Sequence, residues 1–170
     1  MSTPTPPAET ITALARRYRL ELDMSKDGPT PSWVLVPGVT EFTPKVEATQ
    51  QDVSTYDSGG WTEQAVTMLA WSIETTLAHR CHPVTGAFNA AQEMLRKASM
   101  AFGADSYVRV RYYDRNGQPD AYQGTALVTW EPDGGKAEDV DTVKVTLTGS
   151  GPLAEITNPT AGVQPKGGTS

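Results

Sequence analysis

A single cysteine, Cys81, and two histidines, His79 and His82, are all this chain has of two residue types that commonly bind metals or attack substrates. One cysteine excludes an intramolecular disulfide, and with it a disulfide-stapled secreted module. No apolar run approaches the length of a membrane span. The first residues lack a basic region followed by an apolar segment, so no export signal is expected and folding in a cytosol is. Positive charge is also short, with 14 Lys and Arg against 20 Asp and Glu and a formal net charge of -6. Holding nucleic acid requires clustered cations to neutralise phosphates, which this balance does not favour. The same balance suits a surface that nucleic acid slides past without sticking.

Catalytic and metal-binding patterns are equally sparse. His79-Arg80-Cys81-His82 is the one metal-like cluster, but a zinc site usually draws four ligands from two separate segments. Asp or Glu would have to complete it, and a strand end or turn explains it more simply. No nucleophile-elbow pattern accompanies either histidine, so a Cys-His or Ser-His-Asp site has no support. Glu138, Asp139 and Asp141 lack the twelve-residue calcium loop and read as solvated edge charges. Gly59-Gly60 and Gly134-Gly135 have no phosphate-loop context and read as turns. Neither a cofactor, a metal nor an enzymatic activity is expected.

What the 170 residues do contain is strand periodicity, enough for one domain with a real core. Tyr18, Leu20, Leu22 and Met24 alternate with Arg19, Glu21 and Asp23, predicting a strand with one wet face. Trp33-Val34-Leu35-Val36 predicts a compact second strand. Val39 to Phe42 and Lys45 to Ala48 continue after a bend at Pro44, which cannot donate to a ladder. Glu63 to His79 is Thr-rich and reads as a strand, with Val66 and Met68 on one face and Leu69, Trp71 and Ile73 on the other. Tyr107 to Tyr113 alternates Val108, Val110 and Tyr112 with an aromatic and basic stripe of Tyr107, Arg109, Arg111 and Tyr113. That stripe could stack on single-stranded nucleic acid, but the net charge favours a strand surface paired with acidic residues. Asn116-Gly117 is a hairpin turn signal leading to the strand at Tyr122 to Trp130. Val143, Val145 and Leu147 alternate with Lys144, Thr146 and Thr148 in the strand after Asp133-Gly134-Gly135.

One helix is predicted, over 87–102. Phe88, Ala91, Leu95, Ala98 and Phe102 form its apolar stripe, Gln92, Glu93, Arg96 and Lys97 lie off it, and Gly103 stops it. Gln50 to Trp61 is a long polar connection without an apolar pattern of its own, and such connections often carry contacts. Residues 1–17 and 153–170 read as arms around a core at 18–152. In the first arm, 11–17 read as a helical turn with Thr10 as its cap. The expected class is mainly β with one α-helix: a β-sandwich or β-barrel with extended arms and a long loop.

Three blocks, in this order and spacing, carry a resemblance. They are Trp33-Val-Leu-Val-Pro-Gly-Val-Thr-Glu-Phe42, then Tyr56-Asp-Ser-Gly-Gly-Trp61, then Tyr122-Gln-Gly-Thr-Ala126 with Asp141-Thr-Val-Lys-Val-Thr-Leu-Thr-Gly-Ser-Gly-Pro152. From about Tyr18 to Pro159 the chain resembles the major tail tube proteins of long-tailed, non-contractile bacteriophages, and is similar to those of phages infecting actinobacteria. The resemblance implies a structural subunit of the virion tail, assembled in the host cytoplasm. Six copies would close a ring, rings would stack into a tube, and DNA would pass through without specific binding. It also implies tape measure, tail terminator and distal tail proteins as partners, and no membrane. The inter-ring contact would fall to the long loop, with Asp52, Tyr56, Asp57, Gly59, Gly60 and Trp61, and to the arms. Glu21, Asp23 and Glu47 are the candidate lumen charges. The competing readings are a monomeric β-sandwich binding or adhesion module, the inner tube of a contractile injection machine, and an enzyme hidden in irregular loops. Three extended connectors favour the tube over the simple module.

Overall fold

The structure is a computed structural model that describes residues 13–26 and 28–162. Its strands are β1 (Tyr18–Asp23), β2 (Trp33–Leu35), β3 (Val39–Asp52), β4 (Gln64–Ala78), β5 (Tyr107–Asp114), β6 (Ala121–Pro132), β7 (Thr142–Gly149) and β8 (Ala154–Glu155). The helix α1 is Ala90–Ser99. All strand pairs are antiparallel, in the order β2-β1-β5-β6-β7-β4-β3, with β8 beside β6.

The sheet curls because one of its faces is apolar throughout. Leu20, Leu22, Val108, Val110, Ala126, Ile73, Leu77, Val143, Val145 and Leu147 are all buried on that face. Burial of this surface is the main favourable term in folding. Phe42 of β3 meets Tyr18 of β1 at 5.3 Å and Tyr112 of β5 at 5.4 Å between ring centroids. The two ends of the sheet therefore come together through side chains, with no ladder between β1 and β3. The result is mainly β with one helix, as expected, built as one continuous antiparallel sheet rather than two stacked sheets or a barrel closed by hydrogen bonds.

α1 packs chiefly on β6. Asn89 caps it by accepting the Ala91 amide at 2.9 Å. Its buried face is Ala91, Leu95 and Ala98, as the periodicity predicts, joined by Gln92. The helix is shorter than 87–102. Phe88 and Phe102 lie outside it and are exposed, so the expected stripe is corrected at both ends. Gln92, expected on the polar side, is fully buried. Its amide donates to the carbonyls of Pro37 and Ala78 at 2.9 and 3.1 Å, which pins the helix to the β2–β3 and β4 ends.

Trp71 lies across β6 and β7 where both strands carry glycine. An added Cβ at Gly124 would stand 2.5 Å from Trp71 Cζ2, and one at Gly149 would be closer still. The indole N–H donates to the Gly151 carbonyl at 3.0 Å. The glycine exit after β7 thus serves as the bed of a buried tryptophan.

Candidate assembly surfaces

The outward face of the sheet divides into two electrostatic halves. In the first, β1 and β5 place opposite charges side by side. Glu21 pairs with Arg111 at 2.5 Å and accepts the Tyr113 hydroxyl at 2.7 Å. Asp23 is 1 % exposed and pairs with Arg109 at 3.0 Å. Its Oδ1 also accepts the Ser25 amide and hydroxyl and the Ser32 amide, at 2.9, 2.6 and 2.9 Å. Burial opposes charge on Asp23, but the Ser25 and Ser32 donors and then Arg109 outweigh it, and its pKa is held below the usual value. Arg111 stacks over Trp33 at 4.6 Å. Arg109, Arg111 and Tyr113 of the aromatic and basic stripe are therefore occupied by their own acidic neighbours, while Tyr107 stays exposed. The wet face expected of β1 is corrected too: Asp23 is buried, and Glu21 is held in a pair.

The second half is built from β3, β4, β7 and the end of β6. The register places Glu41 beside Thr76, Thr43 beside Glu74, Lys45 beside Ser72 and Glu47 beside Ala70. Across β4, Thr76 meets Lys144 and Glu74 meets Thr146, and Lys144 in turn meets Glu131. These residues share one face, with Glu41, Glu47, Glu74 and Glu131 exposed. Four glutamates face two lysines among threonines and serine; Lys45 pairs with Glu74 at 3.8 Å and Lys144 with Asp133 at 3.7 Å, so this half is exposed with a surplus of carboxylates. Of the three lumen candidates, Glu47 stands here in solvent, whereas Glu21 and Asp23 belong to the neutralised half.

The long connection differs from its reading. β3 runs without a register break through Pro44, which is tolerated because β3 is an edge strand. No bend divides it at Pro44. It continues to Asp52, and the ladder with β4 resumes at Gln64. Gln50, Gln51 and Asp52 are strand, and only 53–63 form the connection. Val46, Val66, Met68 and Leu69, from both faces of this hairpin, are exposed. At the tip, Asp52 accepts the Ser54 amide at 2.8 Å and Ser54 Oγ accepts the Glu63 amide at 2.8 Å. Thr55 and Ser58 form a reciprocal capping box around a short 3-10 turn. Gly59 and Gly60 sit at φ of 62° and 83°, the left-handed region glycine enters freely. Tyr56 and Trp61 stand at 107 % and 81 % exposure on this ordered frame.

Both terminal segments tie to one corner, the β5–β6 turn. Arg17 donates to Asp114 at 2.8 Å and to Asp120 at 3.0 Å. Asn158 is buried and donates to the carbonyls of Asp114 and Gln118 at 2.7 and 2.5 Å. An arm is expected from Leu153; instead β8 pairs with β6 and the chain stays docked through Thr160. The first arm's residues 15–17 form a 3-10 turn. Thr10 and 11–12 lie outside the described residues, as do the remainders of both arms.

The histidines turn to separate partners. His79 Nδ1 lies 2.7 Å from Asp141, its ring stacked on Phe88 at 4.0 Å. His82 Nδ1 accepts the Val84 and Thr85 amides. Among the described residues no three His, Cys, Asp or Glu side chains converge as a metal site. Asp141 is thus a histidine partner rather than a free edge charge, and Asp139 accepts the Lys136 amide at 2.7 Å.

Comparison with solved structures places the same fold in assembled particles. The tail of an empty gene transfer agent particle, refined with C6 symmetry, aligns with a TM-score of 0.66 at 14% identity, covering 85% of this chain and 99% of that one. The SPP1 tail tube aligns at 0.65 and 16% identity, covering 88% and 82%. The anti-feeding prophage baseplate aligns at 0.53 and 10% identity, covering 84% and 95%. A search of curated protein sequences returns no match. The family of phage tail tube proteins matches residues 19–155, which is most of the chain. That match shows that the chain, with β3 an edge strand among the described residues and an exposed ordered hairpin, belongs to the phage tail tube proteins, structural subunits of the virion tail.

Proposed function

We propose that six copies close a ring, that rings stack head to tail, and that the acidic half-face of β3, β4, β7 and the end of β6 lines the channel through which DNA leaves the virion. The observation that carries this is the edge of β3, which no second strand covers among the described residues. An open edge invites strand addition by another chain, and ring closure satisfies it. Covering the β3 edge of one copy with the next copy continues the face bearing Glu41, Glu47, Glu74 and Glu131 around a circle. The C6 symmetry of the gene transfer agent tail supports six as the ring number. Phosphates near that wall are repelled over about 8 Å at physiological salt. Of the sequence candidates, Glu47 keeps a lumen role in this arrangement and Glu21 and Asp23 do not. The tape measure protein would occupy the channel before ejection, with terminator and distal tail proteins at the tube ends.

Negative-stain electron microscopy of the purified chain tests the assembly. Hollow rings or tubes of uniform diameter are expected. A strictly monomeric species at high concentration, with both terminal segments intact, would count against it. Removing Gln51 to Gly60 is expected to leave the fold and abolish stacking. Normal tubes from that variant would take the inter-ring role away from Asp52, Tyr56, Asp57, Gly59, Gly60 and Trp61.

A further inference from the structure

We propose that the groove between α1 and the start of β5 is the receptor for the β3–β4 hairpin tip of a second copy in the next ring. This rests on the stacked-ring reading and names the surface on which stacking occurs. The groove encloses about 540 Å³ and is lined by Met24, Met94, Ala98, Ala101, Tyr107 and Val108. A smaller hollow of about 200 Å³ continues it past Arg109. Its walls are mostly apolar, and the small side chains of Ala98 and Ala101 leave room for a large guest. The tip supplies one: Tyr56 and Trp61 are exposed on a backbone already fixed by the Ser54, Thr55 and Ser58 hydrogen bonds. Fixing the loop beforehand removes much of the ordering cost of binding.

Charge matches as well as shape. From Asp52 to Glu63 the tip carries Asp52, Asp57 and Glu63 and no cation. On the groove rim Asp105 is paired with Lys26 at 2.9 Å and Glu93 with Arg96 at 2.7 Å. Lys97 has no ion-pair partner among the described residues and faces the opening. The two surfaces also lie far apart along the strands, the tip at one end of β4 and the groove level with its middle. Tyr107 is level with Ser72 through Leu127 and Thr148, and the tip begins eight residues farther along β4, at Gln64. At about 3.3 Å per residue this is about 26 Å. A knob and a socket on different surfaces of one chain, offset along the strands, make a heterologous contact that repeats along an axis.

Cysteines at Thr62→Cys and Ala101→Cys, in a Cys81→Ser background, test the pairing without touching the aromatic residues. Tubes are assembled, oxidised and run on a non-reducing denaturing gel. Tip-in-groove stacking gives a covalent ladder extending beyond six chains. A ladder that stops at six would place the contact within a ring and overturn the proposal, as would tubes with no cross-link. Cross-linking of Thr5→Cys, instead of Thr62→Cys, to Ala101→Cys would give the groove to the N-terminal segment and overturn it too. A chain that forms no tubes before any substitution would instead refute the tube reading, and this proposal with it. Independently, Lys97→Glu should raise the critical concentration for tube growth about fivefold, the scale of one surface charge pair. Adding Asp57→Lys should restore most of the loss, and failure of that rescue counts against the pairing.

Discussion

Asp23 keeps a charge where there is almost no water. Four donors make that possible: the Ser25 amide and hydroxyl, the Ser32 amide and Arg109. Because its pKa is lower in the fold than in the unfolded chain, its stabilising effect is complete above about pH 4 and disappears as pH falls through the folded value. Asp23→Asn should therefore cost about 1–3 kcal/mol near neutrality. The gap from the unsubstituted chain should narrow in acid, which urea titrations at several pH values would measure. Gly149→Ala should be at least as harmful, costing about 1–3 kcal/mol in the same assay, because its methyl would enter the Trp71 ring. Alternation in β1 placed Leu20 and Leu22 in the core correctly. It could not place Asp23, because the donors that permit its burial come from the 25–32 loop and from β5. Gln92 escaped for the same reason: its partners, the Pro37 and Ala78 carbonyls, are supplied by distant segments.

The hairpin is the element whose function and pattern are most closely linked. Where β3 and β4 belong to the body of the sheet, their alternation is plain, with Trp71, Ile73 and Leu77 buried. Beyond about Ala70 it vanishes, and Met68 and Leu69 are exposed on opposite faces. Gln50, Gln51 and Asp52 are polar and exposed on both faces, so no alternation marks them as strand and they read as loop. Replacing Tyr56 and Trp61 together by serine should leave the urea midpoint within about 0.5 kcal/mol of the parent, as for surface positions in general. Sedimentation should find tube growth lost. The end of the chain gives the reverse case. Its Pro- and Gly-rich composition suggested an arm, while Asn158, a single buried side chain, holds it down. Asn158→Ala should release this segment at a cost of about 1–3 kcal/mol. Exchange of the Ile156 amide, now bonded to the Ala121 carbonyl at 3.0 Å, would quicken.

On the scale of the whole molecule, charge is sorted by face. One half of the outer surface cancels itself through Glu21–Arg111 and Asp23–Arg109, and the other half keeps more exposed carboxylates than its two lysines pair with. The net charge of the sequence could suggest an acidic lining but could not say which strands bear it, because the cancellation depends on the β1–β5 register. If the acidic half lines the channel, Glu41→Lys, Glu74→Lys and Glu131→Lys combined should still yield tubes of normal diameter. Those tubes should retain DNA in co-sedimentation, with binding that weakens steeply as salt rises. Tubes that assemble and ignore DNA would place that face elsewhere.

The corner at Asp114 has a mechanical consequence. Arg17 grips it from one end of the chain, and Asn158 and Thr160 from the other. Tension applied to either terminal segment is delivered to the same β5–β6 turn. A pull transmitted from one neighbour to another would cross the subunit through a few hydrogen bonds at its edge, as through a rivet. The ladder of β3, β4 and β7, which would form the wall, would carry little of that load, so the tube could flex at its joints while its bore kept its shape.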